Sequence, residues 1–262
     1  MTDKSRACSF DKNAEIYDAV RPGYPQQMYA DIKKYCMITE KSRLLEIGAG
    51  SGIATTEINN YFQANITAIE PGKNMFQICQ NRFLNKTDVT VYNTDLEDFA
   101  TNRAFDEVLS ATAFHWPDPD QKYQICHKLL QSKGYLAVFW NNFSNDEQKI
   151  FTDIQKLYDK FLPDLHFNYG SGHDWRQNRI QQRQKEINES GYFNIIFSRQ
   201  YNTKHIYSTE NYIGLLKTYS THAVQDGQTM KAFHSSIRQL LDSHGGFFHL
   251  PVLVNLEIAE KI

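Results

Sequence analysis

The stretch "RLLEIGAGSGIATTEINNYF", Arg43 to Phe62, decides the reading of the fold. It opens on a short apolar run that suits a buried strand. Three glycines then alternate, at Gly48, Gly50 and Gly52, and "IATTEINNYF" follows as a helix. Strand, tight turn and helix form the first unit of an α/β sheet. Glycines without a Cβ let the backbone turn sharply and approach a ligand closely. Glu46 sits two residues before Gly48. A carboxylate at the end of a buried strand is costly unless something meets it.

The same rhythm continues to residue 141. "NITAIE" is a strand and "KNMFQICQNRF" a helix, with Met75, Ile78, Cys79 and Arg82 at helical spacing. "DVTVYN" and "FDEVLSA" are strands. "DPDQKYQICHKLL" reads as a helix capped by Asp118, with Pro119 in its first turn and Gly134 closing it. "YLAVFWNN" is the next strand. Past Asn142 the rhythm breaks. "IFTDIQKLYDKFL" puts Ile150, Ile154, Leu157, Tyr158 and Phe161 on one helical face, and Pro163 stops it. "NRIQQRQKEINES" is a helix ended by Gly191. "YFNIIFSRQYN" is a strand, residues 204–246 are again helical, and "LPVLVNLEIAEKI" is the last strand.

The expected architecture is a Rossmann-like, doubly wound α/β fold. Its seven-stranded sheet is mostly parallel, with an antiparallel edge strand and helical cap insertions. The expected boundaries are 1–142 for N-terminal helices and the first half of the core, and 143–180 for a helical insert. A core helix and strand occupy 181–203, a second insert 204–247, and the last strand 248–262.

Composition narrows the function. The chain has 262 residues, 41% hydrophobic and 22% charged, with a formal net charge of -2. A dedicated nucleic-acid binder is usually basic. No apolar run approaches the roughly 18 residues of a membrane span, and "MTDKSRACSFDKNAEIYD" has no apolar secretory core. Cys8, Cys36, Cys79 and Cys126 lie far apart, as free thiols in a reducing cytoplasm do. The nine histidines show no metal-binding spacing, so no metal is expected.

The glycine spacing excludes two phosphate-binding loops. A G-x-G-x-x-G dinucleotide loop would need glycine where Ile53 stands, and a P-loop would need a lysine that is missing. "LLEIGAGSG" resembles motif I of class I S-adenosylmethionine-dependent methyltransferases. "ITAIEP" adds Glu70 at the tip of the second strand, 18 residues past Gly52, and "VYNTDLEDF" adds Asp95 and Leu96 after the third. "SATAFHWPD" follows the fourth strand. "FDKNAEIYDAVRPGYP" is similar to the N-terminal segment of the small-molecule branch that includes trans-aconitate-type methyltransferases, and "LKTYS" and "VNLEIAEKI" extend the likeness.

The resemblance implies S-adenosyl-L-methionine as cofactor, held by Tyr17, Arg21, Glu46, Gly48, Ala49, Gly50, Gly52, Glu70, Pro71, Met75, Asp95, Leu96 and Ala111. In such enzymes Glu70 binds both ribose hydroxyls, from an exposed strand tip, and Asp95 with the Leu96 N–H reads adenine. Glu46 has two readings: support for the methionine ammonium, or a cap on its own turn. Tyr24, His115, Trp116 and Tyr219 are the candidates for contact with the acceptor. His115 is a general base or a structural histidine, and Trp116 is wall or core. Arg21 is a carboxylate clamp or a surface arginine. His222 and Trp175 are further candidates with a packing alternative.

Methyl transfer needs alignment more than a protein nucleophile, so the cofactor is legible and the acceptor is not. The Asp/Asn-Pro-Pro-Tyr/Phe motif of nucleic-acid and protein amino methylation is absent; its place reads "FHWPDP". Arg176, Arg179 and Arg183 form a helical stripe, read as a solvated face rather than an RNA-facing strip. The expected function is methylation of a small-molecule acceptor at O, N or a carboxylate, by a cytoplasmic monomer or homodimer with neither nucleic-acid nor membrane partner. The alternatives are methylation of RNA or protein, a non-catalytic S-adenosylmethionine-binding regulator and, more distantly, a dehydrogenase.

Overall fold

The computed structural model describes residues 11, 13–143, 149–165 and 172–262. Among the described residues, α1 (Ala14–Val20) and α2 (Gln26–Tyr35) precede the sheet. An alternating run follows: β1 (Arg43–Ile47), α3 (Ile53–Phe62), β2 (Asn65–Ile69), α4 (Lys73–Arg82), β3 (Val89–Tyr92) and β4 (Phe105–Ala111). Next come α5 (Lys122–Leu129), β5 (Leu130–Phe143), α6 (Lys149–Phe161), a 3-10 turn (Pro163–Leu165) and α7 (Gly172–Glu189). The chain finishes with β6 (Phe193–Ser208), α8 (Thr209–Lys217), α9 (Gly227–Ser243) and β7 (Phe247–Lys261).

The seven strands form one mixed sheet in the order β3-β2-β1-β4-β5-β7-β6. It is mostly parallel, with an antiparallel edge. Parallel register pairs Glu46 with Ala68 on one side and with Leu109 on the other. β1 and β4 read as apolar runs because helices cover both faces of such strands. The strand order reverses beside β1, between β2 and β4, and the carboxyl ends of strands at such a point form a ligand crevice in open α/β sheets.

Two compact units divide the chain. One comprises Gly23–Asn141, Ile180–Tyr201 and Val254–Ile262; the other comprises Met1–Pro22, Asn142–Arg179 and Asn202–Leu253. The first unit has a core of Leu45, Ile47, Ile69, Val108, Leu136, Val138 and their neighbours. The second is built on Ile154, Tyr158, Tyr212, Leu216, Phe233 and Ile237. Of the α6 face read from the sequence, Ile150, Ile154 and Tyr158 are buried and Leu157 and Phe161 lie at the margin, while Phe151 joins the buried side as well.

Several local expectations shift. α5 starts at Lys122 rather than after Asp118, and Gln121 occupies its N-cap. Asp118 instead spends its carboxylate on a turn: it accepts from the Asp120 N–H at 2.9 Å and from Gln121 Nε2 at 2.8 Å. Gly134 does not end α5. The helix stops at Leu129, β5 begins at once, and Lys133 takes the positive φ of 65°. β6 runs on to Ser208, so the strand covers residues the sequence suggests are helical.

Candidate active site

The turn between β1 and α3 is left-handed at each glycine: φ is 69° at Gly48, 58° at Gly50 and 88° at Gly52. A Cβ on Gly48 would collide with the Cβ of Ala113, and one on Gly52 would stand 2.9 Å from Cys79 Sγ. Those two glycines serve packing. Gly50 differs, because a Cβ there would meet nothing within 4 Å. Open space beside a left-handed backbone leaves room for a ligand rather than for neighbouring protein.

Glu70 ties this turn to the exit of β2. Its Oε2 accepts from the Gly50 N–H at 2.8 Å, and its Oε1 accepts from the Gly72 N–H at 2.8 Å. The residue is buried, with 9% of its surface exposed, so the expectation of an exposed strand tip is corrected. Two charge-assisted bonds to backbone draw the carboxylate inward. Asn93, beyond β3, braces the same corner by donating Nδ2 to the carbonyls of Glu70 at 2.8 Å and Pro71 at 3.0 Å. The sequence reading missed Asn93, since an asparagine after a strand looks like any turn residue.

Glu46 is fully buried, and neither oxygen finds a hydrogen-bond donor among the described residues. The reading of Glu46 as a cap on its own turn therefore fails; Glu70 does that work. Burial pushes the Glu46 carboxyl up to about 8, with the Glu70 and Glu57 carboxylates adding to the rise and the nearby Thr55 hydroxyl, which does not meet hydrogen-bond geometry, pulling against it. Ser51 Oγ and Thr55 Oγ1 are also buried without partners among the described residues. Native interiors seldom leave such groups unpaired, and each one calls for a reason, such as strain, a catalytic role, a water or an ion.

Beyond β3, Asp95 Oδ1 accepts from the Asp98 N–H at 3.0 Å, and Leu96 lies buried beside Leu45 and Ile47. Met75 is buried on α4, Ala49 is buried in the turn, and Pro71 is exposed. Ala111 closes β4 opposite Phe139.

At the exits of β4 and β5 the structure adds Thr112, which no motif or spacing marks. Thr112 has φ 57°, a strained value for a β-branched side chain. Its Oγ1 pairs with the Tyr24 hydroxyl at 2.7 Å and accepts from the Asn141 N–H at 3.2 Å. The Tyr24 N–H in turn donates to Glu57 Oε2 at 3.0 Å, and the Tyr29 hydroxyl donates to the same oxygen at 2.9 Å. Burial pushes the Glu57 carboxyl up, while those two donors pull it back. Strain held by surrounding bonds is common at functional sites.

His115 is exposed and lies against Trp116, with ring centroids 4.4 Å apart. The Trp140 indole Nε1–H donates to His115 Nδ1 at 3.5 Å. Arg183 stacks on the other partner of that bond, its Cζ 3.8 Å from the Trp140 ring centre. This corrects the solvated reading of the arginine stripe: Arg183 packs on an aromatic ring, Arg176 is buried, and only Arg179 is exposed.

All these residues except Arg176 and Arg179 belong to the unit containing Gly23–Asn141. Tyr17, Arg21, Tyr219 and His222 belong to the other unit. There Arg21 donates Nε to Thr218 Oγ1 at 3.0 Å and Nη2 to the Thr218 carbonyl at 3.3 Å. Its guanidinium stands 4.8 Å from the Tyr17 ring centre and 5.3 Å from that of Tyr219. Tyr158 and His222 Nε2 share a bond at 3.2 Å. The Trp175 side chain and Cys8 lie outside the described residues. Cys36, Cys79 and Cys126 are free and buried. Among the described residues no cluster of ligands suits a metal, and no helix is long and apolar enough to cross a membrane.

Comparison with known proteins matches residues 25–138 to the ribosomal RNA adenine dimethylase family model. The chain is 31% identical to a probable S-adenosylmethionine-dependent methyltransferase of Saccharomyces cerevisiae, over 68% of this chain and 59% of that protein. It is 28% identical to a malonyl-[acyl-carrier protein] O-methyltransferase of Bacillus cereus, over 59% of this chain and 54% of that one. A solved structure assigned as a type II methyltransferase from Anaeromyxobacter dehalogenans superposes with a TM-score of 0.61 at 18% identity, covering 92% of this chain and 96% of the other. The chain belongs to the class I S-adenosylmethionine-dependent methyltransferases.

A further member by fold is the phosphoethanolamine N-methyltransferase 2 of Haemonchus contortus, solved with phosphomonomethylethanolamine and S-adenosylhomocysteine. Its TM-score is 0.54 at 16% identity, covering 96% of this chain and 57% of that one. The structural likenesses carry the fold. The chain spans between half and two thirds of the length of the curated methyltransferases it matches, 59% and 54% in the two cases above.

Proposed function

We propose that this chain transfers a methyl group from S-adenosylmethionine to a small-molecule acceptor, at oxygen, nitrogen or a carboxylate. One observation carries the reading. An open, left-handed Gly50, tied to the β2 exit by Glu70, stands in the turn that follows Glu46, a buried carboxylate without a donor among the described residues. That combination fits a ligand with a cationic amine and a chain that must pass close to backbone. When bound, S-adenosylmethionine supplies a sulfonium methyl group with an excellent leaving group.

The chain's own residues then have these roles. Gly48, Ala49, Gly50 and Gly52 give a backbone cradle, and Glu46 holds the ammonium end. Glu70 retains lone pairs beyond its two backbone bonds, enough to accept ribose hydroxyls. Asp95 and Leu96 meet the adenine, flanked by Pro71, Met75 and Ala111. Tyr24, His115 and Trp116 meet the acceptor. Orientation of this kind can supply about 7–11 kcal/mol of the barrier.

The family match to ribosomal RNA adenine dimethylases favours a second reading, methylation of RNA. Against it stand the net charge of -2 and the "FHWPDP" segment in place of an amino-methylation motif. The names of the malonyl-carrier and phosphoethanolamine enzymes support a small acceptor.

Calorimetry with S-adenosylhomocysteine and with NAD tests the cofactor: binding of the first and not the second is expected. Transfer of labelled methyl from S-adenosylmethionine into a metabolite extract, compared with total RNA, tests the acceptor. Label in RNA alone overturns the small-molecule reading. Tight binding with label in neither fraction would favour a non-catalytic binder.

A further inference from the structure

The contact between Trp140 and His115 decides what His115 can do. An indole nitrogen is a donor only, and never accepts. Trp140 Nε1–H therefore requires a lone pair on His115 Nδ1, 3.5 Å away. A neutral imidazole carries one proton, so that proton sits on Nε2. A proton added to Nδ1 would set two N–H groups against each other.

Trp140 cannot readily turn aside. It is 4% exposed in the core with Phe114, Tyr123 and Val138. Arg183 lies over its ring at 3.8 Å, and a cation over an indole face is attracted to it. Arg183 is itself held: its Nη1 donates to Asn255 Oδ1 at 3.5 Å, and Asn255 Nδ2 donates to Glu257 Oε2 at 2.9 Å. Gln184 Nε2 donates to the other Glu257 oxygen at 3.3 Å. This chain of contacts runs from β7 through α7 to the ring of a β5 residue. His115 itself remains exposed.

We propose that Trp140, backed by Arg183, fixes His115 as the Nε2–H tautomer, so that His115 meets the acceptor as a hydrogen-bond donor to an oxygen and not as the base that deprotonates it. The inference rests on the reading that His115 faces the acceptor. Trp140 and Arg183 are positioning residues. The acceptor suited to such a site brings an oxygen that has already lost its proton, as a carboxylate has at neutral pH. The new O–CH3 bond then forms as the C–S bond breaks, its electron pair stays on sulfur, and no proton moves.

The test needs no acceptor. The full chain is labelled with 15N-histidine, and His115 is assigned by its loss in His115→Gln. Long-range 1H–15N spectra then report the tautomer. The expected result is Nε2–H in the wild-type protein and a mixture with Nδ1–H in Trp140→Phe. An Nδ1–H or doubly protonated ring in the wild type overturns the proposal, as does an unchanged ring in Trp140→Phe. If Trp140→Phe fails to fold, Arg183→Met leaves the indole in place and is expected to loosen the tautomer in the same direction; no change overturns the positioning role.

Titration with acetate in the presence of S-adenosylhomocysteine probes the ligand side. A saturable shift of the Nε2 resonance is expected, and its absence in a protein that binds S-adenosylhomocysteine overturns the oxygen-holding role. If calorimetry shows no S-adenosylhomocysteine binding, the methyltransferase reading fails while the tautomer result stands.

Discussion

Glu70 grips the backbone of Gly50: its Oε2 lies 2.8 Å from the glycine nitrogen, while its Oε1 holds the nitrogen of Gly72 at the same distance. One carboxylate thus couples the turn after β1 to the exit of β2. A residue that only bound ribose would leave the empty protein indifferent to its loss.

Glu70→Ala is therefore expected to act on both counts. Hydrogen bonds to a charged group contribute about 1.5–3 kcal/mol each, so losing two should lower the unfolding free energy without ligand by about 3–6 kcal/mol. S-adenosylhomocysteine affinity should fall by at least about tenfold, the equivalent of about 1.4 kcal/mol. Denaturant melts paired with calorimetry check this. Lost affinity with unchanged stability would mean that the backbone bonds contribute nothing.

Gly50 and Gly48 separate ligand space from packing. Gly50→Ala must adopt φ 58° but meets no protein atom, so its stability cost should be about 1–2 kcal/mol. Its methyl group would fill the space assigned to the ligand, and S-adenosylhomocysteine binding should drop below detection. Gly48→Ala should show the reverse emphasis, with stability lost first, because its methyl collides with Ala113. Thermal melts and calorimetry on the two variants give the comparison. Normal binding by Gly50→Ala would remove the turn from the site.

The sheet was legible because it is written locally. Apolar runs such as "RLLEI" and "NITAI" and the glycine turn between them depend on neighbours in sequence. Glu70 was found by its place after β2, yet its burial was not. Its partners are backbone N–H groups of a turn, and every sequence has those. Thr112 gave no sign, since the partners of its Oγ1, Tyr24 and Asn141, are distant along the chain. Arg183 looked like part of a charged stripe because helical spacing does not reveal Trp140 across the sheet. The ends of β5 and β6 were under-read where the strands run on through polar residues, as at Gln131–Lys133 and Lys204–His205.

Arg21 offers a test of clamp against cap. Its Nε and Nη2 both donate to Thr218, the C-cap residue of α8, and a cation there also suits the helix dipole. Arg21→Lys loses the planar fork and should lower the melting temperature without any ligand, by an amount equivalent to about 1 kcal/mol. If the same guanidinium also clamps a carboxylate, S-adenosylhomocysteine affinity or acceptor KM should worsen as well. An unchanged melting temperature would show that the Thr218 bonds do not stabilise the unit.

Glu46 links ligand binding to protons. Burial raises its carboxyl from 4.5 to about 8 in the folded protein, so near pH 7 it is mostly protonated. In the unfolded chain it ionises near its ordinary value. Between those values the folded state holds a proton that the unfolded state has lost. Its contribution to stability is therefore full below about pH 4.5, falls as pH rises at up to about 1.4 kcal/mol per pH unit, and levels off above about 8. Other buried carboxyls add slopes of the same sign, so the difference between wild type and Glu46→Gln isolates this one. The variant should be the more stable of the two at pH 7–8, and its curve should be flatter through the window. Binding is expected to reverse the preference. An ammonium placed at Glu46 favours the ionised carboxylate, so S-adenosylhomocysteine binding at pH 7 should release most of a proton. Calorimetry in buffers of different ionisation enthalpy measures that release directly. Glu46→Gln should bind more weakly and release none. Equal proton release by wild type and variant would place the ligand's ammonium elsewhere, whatever the affinities.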